Sequence, residues 1–349
     1  MKRRREGNAG SIAPAQPAPT LTLWQALNIA HDRALAADDA VFVIGEDVGM
    51  FGGSYRVTQG LYAKYGEWRV RDAPISENTF TGLGVGAALI GARPIVEIMT
   101  VNFALLALDA IVNLAAKIRY MSGGQFLVPI VIRMPGGVAK QLAAQHSQRL
   151  EHTLMNVPGL RIAVPATPQD AYWQLTQAIA IDDPVVVIEH ELLYGEEGPF
   201  DANGTPPPLH AAVVRRAGRD VTLVAWSRMV TVALNAAKTL STQGIDAEVI
   251  DLRSLRPIDL PLLQASIAKT HRAVVVAEDC LFGGAAAEIA AALGERCFFD
   301  LDGPVMRIAG ADVPTPYNAA LEARSIPDTE AVVRSVVSLF PAPGRNPRE

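Results

Sequence analysis

The chain has 349 residues, half of them hydrophobic and 19% charged, with 31 Lys and Arg against 36 Asp and Glu for a net charge of −5. Its mean hydropathy of +0.19 excludes a disordered polypeptide, and the length exceeds one ordinary domain, so two are expected. The acidic balance and 6% aromatic content leave neither a basic field nor a stacking platform for nucleic acid, and Cys280 and Cys297 lack the spacing of a zinc site or a disulfide framework.

Residues 1–20 open with Lys2-Arg3-Arg4-Arg5 and continue without a period, so a flexible tail is expected there. No apolar run of signal-peptide type follows those charges, which points to the cytoplasm. Nor does any segment reach the roughly 18 uninterrupted apolar residues of a membrane span. Thr22 with Gln25 three positions on is a capping-box pattern that opens an amphipathic helix to about residue 37, and the unbroken apolar run 41–44 predicts a buried strand. Further apolar runs at 95–99, 128–134, 160–164 and 184–188 alternate with helical patterns at 79–90, 103–121 and 167–181. Continuous apolar strands between helices predict a mostly parallel sheet covered on both faces. From 194 to 218 the period lapses into Gly-Glu-Glu-Gly-Pro and Thr205-Pro-Pro-Pro208, a linker signature. A second series follows, with strands at 221–225, 247–252, 273–277 and 305–308 among helices at 230–243, 260–269, 285–293 and 329–339. The expected fold is α/β in two domains with mostly parallel sheets, 21–200 and 216–342, joined by a linker at 201–215 and ending in a tail at 343–349.

Folds of this kind hold ligands at the carboxyl ends of their strands, so polar residues just past the apolar runs are the first candidates. Glu46 and Asp47 follow the run 41–44, Ser76-Glu77-Asn78 precedes the helical stretch at 79, and Gln145-His146-Ser147 lies in a loop after the run 128–134. Each has a plainer reading when taken singly. A carboxylate at a helix start is commonly a dipole or capping partner, and a loop histidine is commonly hydrogen-bonded and nothing more. Glu97, set inside an apolar strand, needs a partner or a raised pKa, and neighbouring backbone is the expected partner. Gly82-Leu-Gly84-Val-Gly86-Ala87 has the letters of a dinucleotide fingerprint, but residues 74–81 are no apolar strand, so helix packing is the expected role. Phe282-Gly283-Gly284 lacks the phosphate-loop lysine, and neither a G-x-S-x-G elbow nor an H-E-x-x-H pair is present. Residue patterns alone lead to a two-domain α/β protein, with an enzyme as the favoured class.

The strings Gly45-Glu-Asp-Val-Gly49, Gly52-Gly-Ser-Tyr-Arg-Val57, Ala73-Pro-Ile-Ser-Glu77, Arg93-Pro-Ile-Val-Glu97, Tyr120-Met-Ser-Gly-Gly124 and Ala144-Gln-His-Ser-Gln148 occur in one order. Asp183-Pro-Val-Val-Val187, Glu248-Val-Ile-Asp-Leu-Arg-Ser-Leu-Arg-Pro257 and Gly310-Ala-Asp-Val-Pro-Thr-Pro-Tyr317 continue it. Through these strings the chain resembles, over nearly everything after residue 20, the beta chains of the two-chain, thiamine-diphosphate-dependent 2-oxo acid dehydrogenases. Within that family, Glu189-His-Glu-Leu-Leu-Tyr-Gly195 and Ser122-Gly-Gly-Gln-Phe126 are most similar to pyruvate dehydrogenase beta chains, with acetoin dehydrogenases a nearer rival than branched-chain members.

The resemblance implies a thiamine-diphosphate-binding domain of the pyrimidine type followed by a transketolase C-terminal-like domain. The implied activity is oxidative decarboxylation of pyruvate with transfer of the acetyl group to the lipoyl group of an acyltransferase. The family's Gly-Asp-Gly anchor for Mg²⁺ and diphosphate is missing from this chain. By resemblance those groups then belong to an alpha subunit, in an α2β2 heterotetramer with active sites between alpha and beta chains. Glu77 matches the glutamate that hydrogen-bonds the pyrimidine ring nitrogen, and Ile75 and Phe103 match residues that line the ring. His146 matches a histidine that supplies a proton during acetyl transfer, and Glu46 an acidic residue at the beta-chain interface that relays protons. The family's potassium site uses backbone around Ile130, Ala178, Ile179 and Asp183, but the usual Asp is Ile181 here, which removes a hard oxygen ligand. The alternatives are a beta chain acting on acetoin or branched-chain 2-oxo acids, a non-catalytic scaffold subunit, and a nicotinamide-binding oxidoreductase; no nucleic-acid or membrane partner is expected.

Overall fold

The structure is a computed structural model that describes residues 19–138 and 141–340, so residues 1–18 of the expected N-terminal tail and all of the tail at 343–349 lie outside the described residues. The first half runs β1 (Thr20–Thr22), α1 (Leu23–Ala37), β2 (Val41–Gly45), α2 (Leu61–Tyr65), β3 (Val70–Asp72), α3 (Glu77–Leu89), β4 (Arg93–Glu97), α4 (Ile118–Met121), β5 (Val131–Gly136), α5 (Glu151–Met155), β6 (Arg161–Ala163), α6 (Pro168–Ala180), β7 (Val185–His190) and β8 (Glu197–Pro199). The second runs β9 (Val213–Arg216), β10 (Val221–Ala225), α7 (Met229–Thr242), β11 (Ala247–Asp251), β12 (Ser254–Arg256), α8 (Leu260–Thr270), β13 (Ala273–Cys280), α9 (Ala285–Arg296), β14 (Met306–Gly310), α10 (Ala319–Ser325) and α11 (Thr329–Val337).

Local chemistry starts the helices where the patterns predict. The Gln25 side chain accepts from the Thr22 N–H at 2.9 Å while Thr22 Oγ1 accepts from the Gln25 N–H, which closes the capping box of α1. Thr167 caps α6, and Pro168 follows at the first helical position, where its missing N–H costs nothing. The buried stripes of α1 and α6 then meet over one face of the first sheet.

That sheet has seven strands in the order β12-β6-β7-β5-β4-β2-β3, parallel from β6 to β3. The second has five, β14-β13-β10-β11-β9, with only β9 antiparallel. Every residue of β5, β7 and β10 is buried, which explains why they are mostly apolar, with Arg133, Glu189, His190 and Thr222 as the polar exceptions. One strand changes halves: β12 pairs antiparallel with β6, Ser254 opposite Ala163, so the second half completes the first half's sheet.

Three expectations need correction. The helix expected at 103–121 is a 3-10 segment over Val101–Ala107, a π segment over Asp109–Ala115 and the short α4. The wide turn, with Ala116 N–H bonded to Ile111 O at 3.1 Å, lets the chain pass tightly over Gly159, where any Cβ would collide with the Ala116 carbonyl. Thr20, inside the expected tail, opens β1, which pairs with β8. The expected linker 201–215 ends inside β9, an edge strand on β11. Both edge pairings are three or four residues long, too short for a period to register, and both depend on partners distant in sequence.

Candidate active site

Strand order reverses at β2, with β3 on one flank and β4 on the other. Connections leaving the carboxyl ends therefore diverge and open a crevice, the usual ligand position in such sheets. Glu46 is the first residue past β2, and Glu77 is the first residue of α3, which follows β3. Both carboxylates are buried, 7% and 4% exposed. Glu46 Oε1 has no hydrogen-bond partner among the described residues. Burial first, then the neighbouring Glu77 and Asp47 carboxylates, push the Glu46 carboxyl above the usual carboxylate range. Two crowded carboxylates in a crevice are suited to a ligand that brings a proton or an N–H, as an aminopyrimidine ring does.

Apolar surface frames this pair. Ile75, two residues before Glu77, is 84% exposed, and Leu83 and Ile90 are exposed farther along α3. The 3-10 segment Val101–Ala107 packs on α3 and carries Phe103, half-buried. Phe103 in turn meets His146 edge to face, with ring centroids 5.6 Å apart. His146 closes a short 3-10 turn, Ala144–His146, and is exposed. Gln141 and Ala143 just before it hold left-handed backbone, φ 63° and 62°, an uncommon conformation for residues with a Cβ. The fold thus joins Glu46 to Glu77 and Phe103 to His146, with α3 and the 3-10 segment between the pairs. A cavity of about 1160 Å³ lies elsewhere, lined by His152, Arg161, Arg256 and Glu288; Ile75 and His146 stand on open surface instead.

Sequence reasoning missed Arg133. Register places Gly45, Glu97 and Arg133 side by side across β2, β4 and β5. The wholly buried guanidinium donates to Glu97 Oε2 at 2.5 Å and bidentately to Glu189 at 2.8 and 2.9 Å, and Tyr194 donates to Glu189 at 2.9 Å. The partner of Glu97 is therefore this arginine and not neighbouring backbone. A lone arginine in the apolar run 128–134 was the available signal, since a buried charge must find a counter-charge.

Three of the four potassium candidates have a carbonyl that accepts one hydrogen bond. Ile130 O accepts the Val185 N–H at 3.0 Å, Ala178 O the Ile181 N–H at 3.3 Å, and Ile179 O the Arg93 guanidinium at 3.0 Å. Both oxygens of Asp183 are taken, one by Arg119 and one by Arg161, and Asp182 pairs with Arg93 at 2.5 Å. Among the described residues no group of three His, Cys, Asp or Glu gathers for a metal. Asp182 and Asp183 thus share their carboxylates with arginines, so a potassium ion here would rest on the backbone carbonyls, each of which has a second lone pair.

Among the described residues no single helix is long and apolar enough to cross a membrane. The transketolase pyrimidine binding domain family matches residues 19–197, and the transketolase C-terminal domain family matches residues 210–332. The chain is 47% identical over 339 residues to the pyruvate dehydrogenase E1 component subunit beta-1, mitochondrial, of Arabidopsis thaliana, covering 96% of this chain and 93% of that one. It is 45% identical over 318 residues to the pyruvate dehydrogenase E1 component subunit beta of Cyanidium caldarium, covering 91% and 97%. A solved split gene transketolase, described as an inactive beta4 tetramer, shares the fold with a TM-score of 0.74 at 24% identity, covering 91% of this chain and 97% of that one.

Proposed function

The chain belongs to the family of pyruvate dehydrogenase E1 beta subunits, built from the transketolase pyrimidine-binding and C-terminal domains, and on that premise we propose that it supplies the pyrimidine side of a thiamine-diphosphate site completed by an alpha subunit. The observation that carries this reading is the buried Glu77 at the head of α3, crowded by Glu46 in the crevice at β2, with Ile75 two residues before it and Phe103 on the 3-10 segment that packs on α3. Thiamine diphosphate, when bound, supplies the nucleophilic carbon and the electron sink that decarboxylation of a 2-oxo acid requires.

The residues of this chain have the remaining tasks. Glu77 shares a proton with the pyrimidine ring nitrogen, general acid–base help worth about 10²–10⁴ in rate. Ile75 and Phe103 cover the ring and exclude water, Phe103 offering an aromatic face or edge. His146, on open surface beside Phe103, passes a proton to a lipoyl sulfur as the acetyl group arrives. Glu46, an acidic residue of the beta-chain interface beside Glu77, relays protons between active sites. The chain has no Gly-Asp-Gly string, so Mg²⁺ and the diphosphate fall to the alpha subunit. Assembly as α2β2 and docking of the lipoyl acyltransferase on the second domain complete the proposal. Cytoplasmic residence belongs to it as well, although the Arabidopsis relative is named mitochondrial; cell fractionation decides that point.

The test is to purify the chain with and without its alpha partner and to follow, with a dye acceptor, decarboxylation of pyruvate and branched 2-oxo acids and oxidative cleavage of acetoin. Turnover is expected only for the pair, with thiamine diphosphate and Mg²⁺, and fastest with pyruvate. Turnover by this chain alone would overturn the shared site, and a preference for a branched acid would overturn the substrate.

A further inference from the structure

The loop that carries His146 is held by the second half of the molecule. At its base the Gly137 N–H donates to the Gln148 carbonyl at 3.0 Å. The next N–H, that of Val138, donates to Glu278 Oε1 at 2.6 Å, and Glu278 lies on β13 in the second sheet. Glu278 Oε2 stands 2.8 Å from Nε2 of His190, the last residue of β7. Gly137 packs on that same imidazole, so any Cβ there would collide with the ring, and its φ of +102° suits glycine. Two more ties run to the second half: Thr315 Oγ1 donates to the Ser147 carbonyl at 3.1 Å, and the Gln141 amide donates to the Tyr317 carbonyl at 3.2 Å.

Geometry also fixes the proton on His190. Its Nδ1 accepts the Leu192 N–H at 3.1 Å, so Nε2 carries the hydrogen and donates it to Glu278. Burial holds His190 below its usual pKa, in keeping with a neutral ring. Burial alone would raise the Glu278 carboxyl, but the hydrogen bonds from His190 and the Val138 N–H, with the nearby Arg149 guanidinium, outweigh it and hold the group below the usual carboxylate range. A buried carboxylate with both oxygens bonded to fixed donors is a rigid anchor.

We propose that Glu278 is a positioning residue for His146: bonded to Val138 and His190, it fixes the base of the loop that presents His146 beside Phe103, so the second domain governs acetyl transfer to the lipoyl group. This rests on the reading of His146 as the proton carrier of that step. Glu278→Ala in the assembled enzyme removes both bonds, whereas Glu278→Gln keeps an acceptor for Val138. Lipoyl acetylation and dye-linked decarboxylation are measured separately for each, and for His146→Ala and the double variant. Glu278→Ala is expected to lower acetylation by about a hundredfold, the scale of one proton-transfer group, with decarboxylation changed by no more than about threefold. Glu278→Gln, which keeps the Val138 bond but turns an amide N–H toward the Nε2–H of His190, should recover only part of that loss, and the double variant should match His146→Ala alone. Equal loss of both half-reactions, or losses that multiply in the double variant, overturn the proposal. A His146→Ala enzyme with normal acetylation removes instead the reading of His146 beneath it. If Glu278→Ala fails to assemble, Glu278→Asp, one methylene too short to reach both the Val138 N–H and His190, carries the test, and unchanged acetylation in it overturns the proposal.

Discussion

The rings of Phe103 and His146 meet at 87°, centroids 5.6 Å apart, with Phe103 fixed on a 3-10 segment that packs against α3 and His146 fixed on a loop tied to the second domain. The contact lies where elements from both halves converge. It connects the helix headed by Glu77 to the residue assigned to acetyl transfer, so a change in one ring is felt by the other.

Phe103→Leu keeps apolar volume but loses the ring. Aromatic pairs add about 0.5–1.5 kcal/mol beyond buried area, so lipoyl acetylation should fall about two- to tenfold. Parallel assays of the two half-reactions check this; a larger loss in decarboxylation than in acetylation would place Phe103 with the pyrimidine alone.

Glu77→Gln removes the group that shares a proton with the pyrimidine nitrogen. Decarboxylation should fall by about 10² or more while the protein still assembles and binds the cofactor, as read by calorimetric titration. Near-parental turnover from Glu77→Ala would favour a scaffold subunit instead.

Much of this architecture is legible in the residues, for a physical reason. Strands buried on both faces, such as β5 and β7, read as mostly apolar runs, and the Thr22–Gln25 capping box is chemistry within one turn. What stays hidden is non-local. The crossing of β12 to the first sheet, the pairing of Arg133 with Glu97 and Glu189, and the bond from Glu278 to Val138 each depend on which strands become neighbours. At the site, Glu77 and His146 are visible singly as polar residues past apolar runs, but their pairing with Glu46 and Phe103 arises from strand order and loop path. Ion pairs stay hidden in the same way, since the arginines that hold Asp182 and Asp183 come from residues 93, 119 and 161.

Arg133→Met should destabilise the fold strongly, because it strands Glu97 and Glu189 as buried, unpaired carboxylates. Breaking one partner of a buried pair costs about 3–5 kcal/mol, whereas replacing all partners is often near neutral. The triple variant Arg133→Met, Glu97→Gln, Glu189→Gln should therefore recover part of the lost unfolding midpoint. A single variant as stable as the parent would show that the cluster is solvated.

Glu46→Gln tests whether the crevice keeps two carboxylates close at a cost. A carboxyl whose folded pKa is raised binds more protons in the folded than in the unfolded state. Its contribution to stability is full below the unfolded value of about 4.3 and is lost as pH rises through the folded pKa. Once ionised, the parent carboxylate is a charge that burial, Glu77 and Asp47 all disfavour. The variant should be more stable at neutral pH by roughly 0.5–2 kcal/mol, the range of single charge improvements, and should lose that advantage near pH 4. Denaturant midpoints of parent and variant from about pH 4 to about pH 8 measure the difference directly. A gain independent of pH would mean that Glu46 is crowded by shape and not by charge, and no gain at all would mean that water reaches it. If the predicted gain comes with slower decarboxylation, the carboxylate pair is retained for its proton chemistry at the expense of the fold.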